Sequence, residues 1–235
     1  LLRQAIEKNP ADVESYLELA DLVEKDESIE EAQKVLNRAL SASGGDMKVV
    51  EHIEDRQLRW AKHGMHIAEK RFESERTEAN KETLEKLKTG ILKQEIDVFS
   101  ARTSRYPENT SWRYELAMRL KAIGNYPEAI KEFQKSLQDV RRKGVVSLEL
   151  GECFQKIKQH QLAMRNYSTA VDSLTDRETD LRKRALYRAG VLAAGLEDLE
   201  SAKKYLSVLA ELDYGYRDVA QRLDKLDSVP DKSAE

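Results

Sequence analysis

Cysteine is nearly absent from this chain of 235 residues: Cys153 stands alone, so no internal disulfide can staple the fold, and a reducing compartment, the cytoplasm, is the expected setting. Proline is almost as scarce, with four in the whole sequence, which removes the strongest helix breaker and leaves long segments free to coil. No run approaches the roughly 20 apolar residues that a bilayer crossing requires, and no charged-then-apolar leader stands at the start. No membrane contact is expected from this stretch. Neither sign of charge dominates, since 40 basic residues face 43 acidic ones for a formal charge of −3. The long-range positive field that gathers phosphates is therefore missing, and nucleic acid is not expected as a partner.

Catalytic chemistry is missing in the same way. No glycine-rich phosphate loop is present, and no Ser/His/Asp grouping follows from spacing, because the surrounding residues are accounted for as helix faces. His63 and His66 lie three apart and could share a helix face with Glu69 or Glu73, but no further Cys or His completes a coordination sphere, so no metal and no cofactor are expected. Cys153, between Gly151 and Phe154, reads as a small buried hydrophobe. Arg141-Arg142-Lys143 is a compact basic run and is expected at a helix end, complementing the dipole. Trp60 and Trp112 read as packing residues. Asn109 and Asn166 each begin a glycosylation-type triplet, a match short enough to arise by chance. An enzyme is not expected.

What the chain has is a repeating triplet of positions: a small residue, Ala twelve later, and a large apolar residue four further on. It recurs at Ala20/Ala32/Leu36, Ala117/Ala129/Phe133, Gly151/Ala163/Tyr167 and Gly190/Ala202/Leu206. Around each triplet the apolar residues keep the i, i+3, i+4, i+7 spacing of amphipathic helices, as in Leu116, Ala117 and Leu120 followed by Ala129, Phe133 and Ser136. Gly124-Asn125-Tyr126-Pro127 turns the chain between them and puts proline at a helix start. Each unit is thus a helical hairpin, with small residues letting the two backbones approach. The last anchor, Ala202, comes 39 residues after Ala163 rather than 34, so five extra residues fall around 175–182. Near the start, Ser28-Ile29-Glu30-Glu31 has capping-box spacing.

Residues 47–106 break the pattern. Gly44-Gly45-Asp46 reads as a helix stop and N-cap, after which one long helix with Ile53, Trp60 and Ile67 seven apart runs to about Phe72. A polar turn at 73–78 leads to a second long helix through Leu84, Leu87, Ile91, Val98, Phe99 and Ala101. The expected form is a stretched antiparallel hairpin with a water-facing tip held by pairs such as Lys81/Glu85 and Glu82/Lys86. Residues 217–227, with Val219, Leu223 and Leu226 on one side, are expected to cap the last repeat in a helix starting near Tyr216, and 228–235 to be a disordered tail.

Tyr16, Leu19, Ala20, Ala32, Leu36 and Ala39 match in order the tetratricopeptide repeat (TPR), which the chain resembles over 1–46 and 107–216. The closing proline of that family is present at Pro10 and Pro107, while Gly44, Arg141 and Thr175 replace it at other junctions, so looser or longer helix ends are expected there. Leu2, Ala5 and Pro10 fit the end of a repeat whose first helix is outside the sequence, so the chain reads as a fragment, and an upstream targeting or membrane segment stays open. The domain reading is an N-terminal TPR segment at 1–46, a helical arm at 47–106, three TPR units at 107–216 and the cap and tail.

The resemblance implies an all-α superhelix acting as a non-enzymatic scaffold, with a protein or peptide partner in its concave groove. The positions that line this groove in the family fall here on Ser111, Tyr114 and Met118; on Val145, Leu148 and Glu152; and on Arg184, Tyr187 and Val191. The expected binding residues are Tyr114, Met118, Val145, Leu148, Glu152, Arg184, Tyr187 and Val191, in a groove that is apolar with a few charged edges. Glu14, Leu17 and Asp21 give a more acidic lining near the start. The Lys/Asn set by which chaperone-binding members hold a C-terminal carboxylate is not found at these positions, which disfavours chaperone tails. The alternative reading is a structural subunit that self-associates into a homo-oligomer through the arm or the groove.

Overall fold

A computed structural model describes residues 1–25 and 29–228, and the chain divides into two compact units, Leu1–Val98 and Phe99–Glu235, with no strand among the described residues.

The first unit contains α1 (Leu2–Lys8), α2 (Val13–Lys25), α3 (Ile29–Ala42), α4 (Met47–Ser74) and most of α5 (Glu78–Arg105). Ala20, Ala32, Leu36 and Ala39 are completely buried where α2 meets α3, and Ile6, Tyr16, Ala39 and Val49 join α1 to α4 in one core. Ser28, the expected cap of α3, lies outside the described residues. Gly44 and Gly45 adopt φ of +66° and +90°, a region that side chains disfavour, and so turn the chain sharply. Asp46 then caps α4 by accepting a hydrogen bond from the Lys48 backbone N–H at 2.7 Å.

Helices α4 and α5 have 28 residues each, about 42 Å at ~1.5 Å per residue. Lys62 reaches Glu95 at 2.6 Å across the pair, and Leu58, Leu84 and Ile91 are buried. Near the tip Glu82 pairs with Lys86 at 2.7 Å. Lys81 turns to Glu78 at 3.1 Å instead of the expected Glu85, which lies 3.7 Å from Lys88; a carboxylate three residues back is as close on a helix as one four ahead. Ile67 is 56% exposed although Ile53 packs in the core, because a seven-residue row drifts by ~20° per step around a straight helix. Ala101 is likewise exposed, while Arg102 and Thr103 beside it are buried.

In the second unit three hairpins follow the end of α5: α6 (Thr110–Ala122) with α7 (Tyr126–Ser136), α8 (Lys143–Lys156) with α9 (His160–Ser173), and α10 (Thr179–Gly195) with α11 (Leu199–Leu212). Asn109 caps α6 by accepting from the Ser111 and Trp112 N–H groups. Phe99 packs on Trp112 with ring centroids 5.8 Å apart, and Arg102 lies 4.8 Å over the same ring. The repeating triplet has a steric cause. A Cβ on Gly151 would come within 2.5 Å of the Tyr167 ring, and one on Gly190 within 2.6 Å of Leu206 Cγ, so the small residue is the socket for the large side chain of the facing helix.

The junctions without proline hold short 3₁₀ turns, Val140–Arg142 and Asp176–Glu178. The second carries a capping box between Thr175 and Glu178 and, with the 17-residue α10, takes up the five-residue insertion. Arg141 and Arg142 therefore precede the N-terminus of α8 rather than closing a helix, and the dipole argument for them fails; Arg141 bonds to Asp139 at 3.1 Å instead. The last helix, α12 (Val219–Asp227), starts three residues after Tyr216, because Arg217 has φ of +51° and Asp218 is engaged elsewhere. Val219 and Leu226 join Leu206 and Leu209 in the terminal core. Residues 229–235, most of the expected tail, lie outside the described residues. No described helix is long and apolar enough to cross a membrane.

Candidate functional site

Helix α8 is buried on nearly every side from Gly144 to Phe154, which places it between its neighbours in the second unit. Two of its buried residues are acidic, Glu149 and Glu152. A carboxylate leaves water only where cations replace its hydration, and here they come from both sides. Lys121 of α6 donates to Glu149 and, at 2.6 Å, to Glu152. From α10, Arg184 donates to Glu152 at 2.9 and 2.5 Å and to Glu149 at 3.2 Å, and Arg188 to Glu152 at 3.2 Å. The cluster bridges α6, α8 and α10, the first helices of the three hairpins.

Burial alone would push the Glu152 carboxyl upward, but the hydrogen bonds from Arg184 and Lys121 outweigh it and hold the group down to about 2. Burial would likewise lower the Lys121 ammonium, and Glu149 with Glu152 raise it above the usual lysine range. Cys153, next in sequence, is completely buried, and burial pushes its thiol up to about 12, an inert state for a nucleophile.

The expected site residues divide. Tyr114, Met118, Val145, Arg184, Tyr187 and Val191 are half-buried and reach solvent on α6, α8 and α10. Leu148 is completely buried and does not face the open side, because α8 has neighbours on both flanks. Glu152 is occupied by the ion cluster. The wall is consequently charged at its centre rather than apolar with charged edges. Tyr187 is covered by the chain's own C-terminal turn: its hydroxyl donates to Asp218 at 2.7 Å, Arg217 lies 4.8 Å over its ring, and Tyr216 meets it edge-on at 5.8 Å. Tyr114 packs near Phe133 at 5.9 Å with Arg142 over its ring at 5.4 Å.

Sequence reasoning missed Lys121, Glu149 and Arg188. The signal was the i, i+3 pair Glu149/Glu152 and the i, i+4 pair Arg184/Arg188 inside otherwise apolar helix faces. Beside the cluster, at the turn between α8 and α9, opens a cavity of about 410 Å³ whose lining includes Lys121, Glu152, Lys156, Lys158, His160 and Arg188.

In the first unit the acidic face of α2 is also already paired. Glu14 binds Lys48 at 2.7 Å, and Asp21 binds Arg56 at 2.7 Å with His52 at 3.2 Å. Glu24 takes Arg56 at 2.8 Å and the Trp60 indole N–H at 2.7 Å. Arg56 is completely buried. Burial would raise Asp21, and the bonds from Arg56 and His52 hold it below the usual carboxylate range. His63 and His66 are both exposed, with His66 3.8 Å from Glu69, and no three His, Cys, Asp or Glu side chains gather as a metal-holding group among the described residues.

No family model and no curated protein matches this chain. Among solved structures it is similar to YrrB, a TPR protein with an unusual peptide-binding site, with a TM-score of 0.59 at 16% identity over 95% of this chain and 97% of that one. It is also similar to the MamA protein, with a TM-score of 0.56 at 15% identity over 89% and 94% of the two chains. The chain has the tetratricopeptide-repeat fold. Its ion cluster lies along the first helices of three TPR hairpins, and the left-handed turn position held by Gly124 in the first of them, φ +80°, is taken by Lys158 and Glu197 in the next two, both at +62°.

Proposed function

We propose that this TPR chain is a non-enzymatic protein-interaction scaffold that holds a peptide or helix segment of a partner along α6, α8 and α10, by way of Tyr114, Met118, Val145, Arg184 and Val191. The observation that carries this reading is the half-burial of Tyr114, Met118, Val145 and Val191 on helices whose stacking is already completed by other residues, Ala117, Gly151 and Gly190 among them. Apolar side chains left partly wet beside a rigid charged cluster gain by being covered, and a segment laid over them supplies that cover while the cluster fixes its register. The peptide-binding site of YrrB supports the reading by likeness of fold.

Peptides selected by display against the purified chain test it. Tyr114→Ala combined with Val191→Ala is expected to weaken their binding by about tenfold or more, as loss of central apolar anchors does. Binding unchanged in the double variant, with its helicity intact, refutes the assignment of the wall.

A further inference from the structure

We propose that the cavity beside the turn between α8 and α9 binds a glutamate- or aspartate-rich segment of the partner, with Arg188, Lys121, Lys156 and Lys158 as the carboxylate donors. The proposal rests on the docking reading above and narrows it to a partner of stated chemistry.

The charge balance is the first ground. The cluster at the cavity wall sets three cations, Lys121, Arg184 and Arg188, against two carboxylates, Glu149 and Glu152. Lys156 and Lys158 add two more cations at the rim and make no ion pair among the described residues. This local positive surplus arises in a chain whose net charge is −3, so it is not a sample of the general surface.

Hydrogen-bonding capacity is the second. Arg188 spends only Nε on Glu152, leaving both terminal guanidinium nitrogens without a protein acceptor among the described residues. Arginine presents those nitrogens in the geometry of a carboxylate fork. His160, also in the lining, has an Nδ1 shielded from solvent and without a hydrogen-bond partner. The way Lys121 and Arg184 already converge on Glu152 shows that this frame accepts a carboxylate side chain.

A nucleic acid is the poorer occupant, because the cavity is the size of a few side chains rather than a duplex track.

The test is fluorescence anisotropy with a C-terminally amidated glutamate-rich peptide, its glutamine counterpart and a single-stranded oligonucleotide of equal charge. The wild-type chain is compared with Lys156→Glu/Lys158→Glu, two exposed positions that leave folding intact, and with Arg188→Gln. The glutamate peptide is expected to bind about tenfold or more tighter than the glutamine one, with the preference lost in the double reversal and reduced in Arg188→Gln. Equal affinity for the two peptides, a preference that survives both variants, or equally tight oligonucleotide binding through the same lysines overturns the proposal. If display-selected peptides still bind through Tyr114 and Val191 in that event, the scaffold reading stands and only the acidic partner falls. If no peptide binds by either route, both fall.

Discussion

A methyl group at Gly151 would meet the Tyr167 ring at 2.5 Å, and that ring cannot swing away, because it is completely buried and its hydroxyl donates to Gln155 at 2.7 Å. Gly151→Ala is therefore expected to lower unfolding free energy in urea by about 1–3 kcal/mol, overpacking outweighing the helix propensity that alanine gains. Gly64 and Gly90 on the long helices meet nothing within 4 Å, and alanine there should add roughly 0.5–1 kcal/mol. Lys158→Gly is expected to stabilise by about 1 kcal/mol in the same assay, by removing left-handed strain from a residue with a Cβ. This level was the most legible from sequence. Ala117, Ala129 and Phe133 announce a socket and a plug by size alone, whereas the Glu149/Glu152 pair marks a charged position without naming its partners, since the cations of Glu152 lie 31 to 36 residues away.

Helix α8 shows why an element can be found and still be misread. Its hairpin follows from the Gly151/Ala163/Tyr167 triplet, but Glu149 and Glu152 occupy its buried surface, and Leu148, which the family resemblance puts in the groove, is completely buried. In the same way Glu95 and Arg102 lie on the buried side of α5, and a count of apolar residues could not place that face. The ion cluster makes α8 acid-sensitive. Glu152 titrates at about 2 in the folded chain against its ordinary 4.5, so its contribution is full above about pH 4.5 and is lost as pH falls toward 2. That shift corresponds to about 3 kcal/mol. Glu152→Gln should be less stable at neutral pH and should show a flatter stability profile between those limits, read by denaturant unfolding at a series of pH values. A profile as steep as that of the wild-type chain would assign the acid limb to other carboxylates.

Over the whole molecule the tetratricopeptide-repeat fold was readable because each hairpin repeats the same steric solution, so weak local signals add in register. What escaped the sequence was the nature of the inner surfaces. In both units the first helices of successive hairpins are joined by charge, Glu14 to Lys48 and Asp21 to Arg56 in one, Glu152 to Lys121 and Arg184 in the other. Such bridges form between residues more than 30 positions apart, beyond the reach of periodicity within one helix.

The scaffold account is tested most directly by methyl NMR of the chain titrated with a display-selected peptide. Met118, Val145 and Val191, on α6, α8 and α10, are expected to shift in proportion to occupancy, while Ile130 of α7 and Leu162 of α9 stay in place. Shifts confined to Ile130 and Leu162, with the signals of Met118, Val145 and Val191 unmoved at saturation, would contradict it.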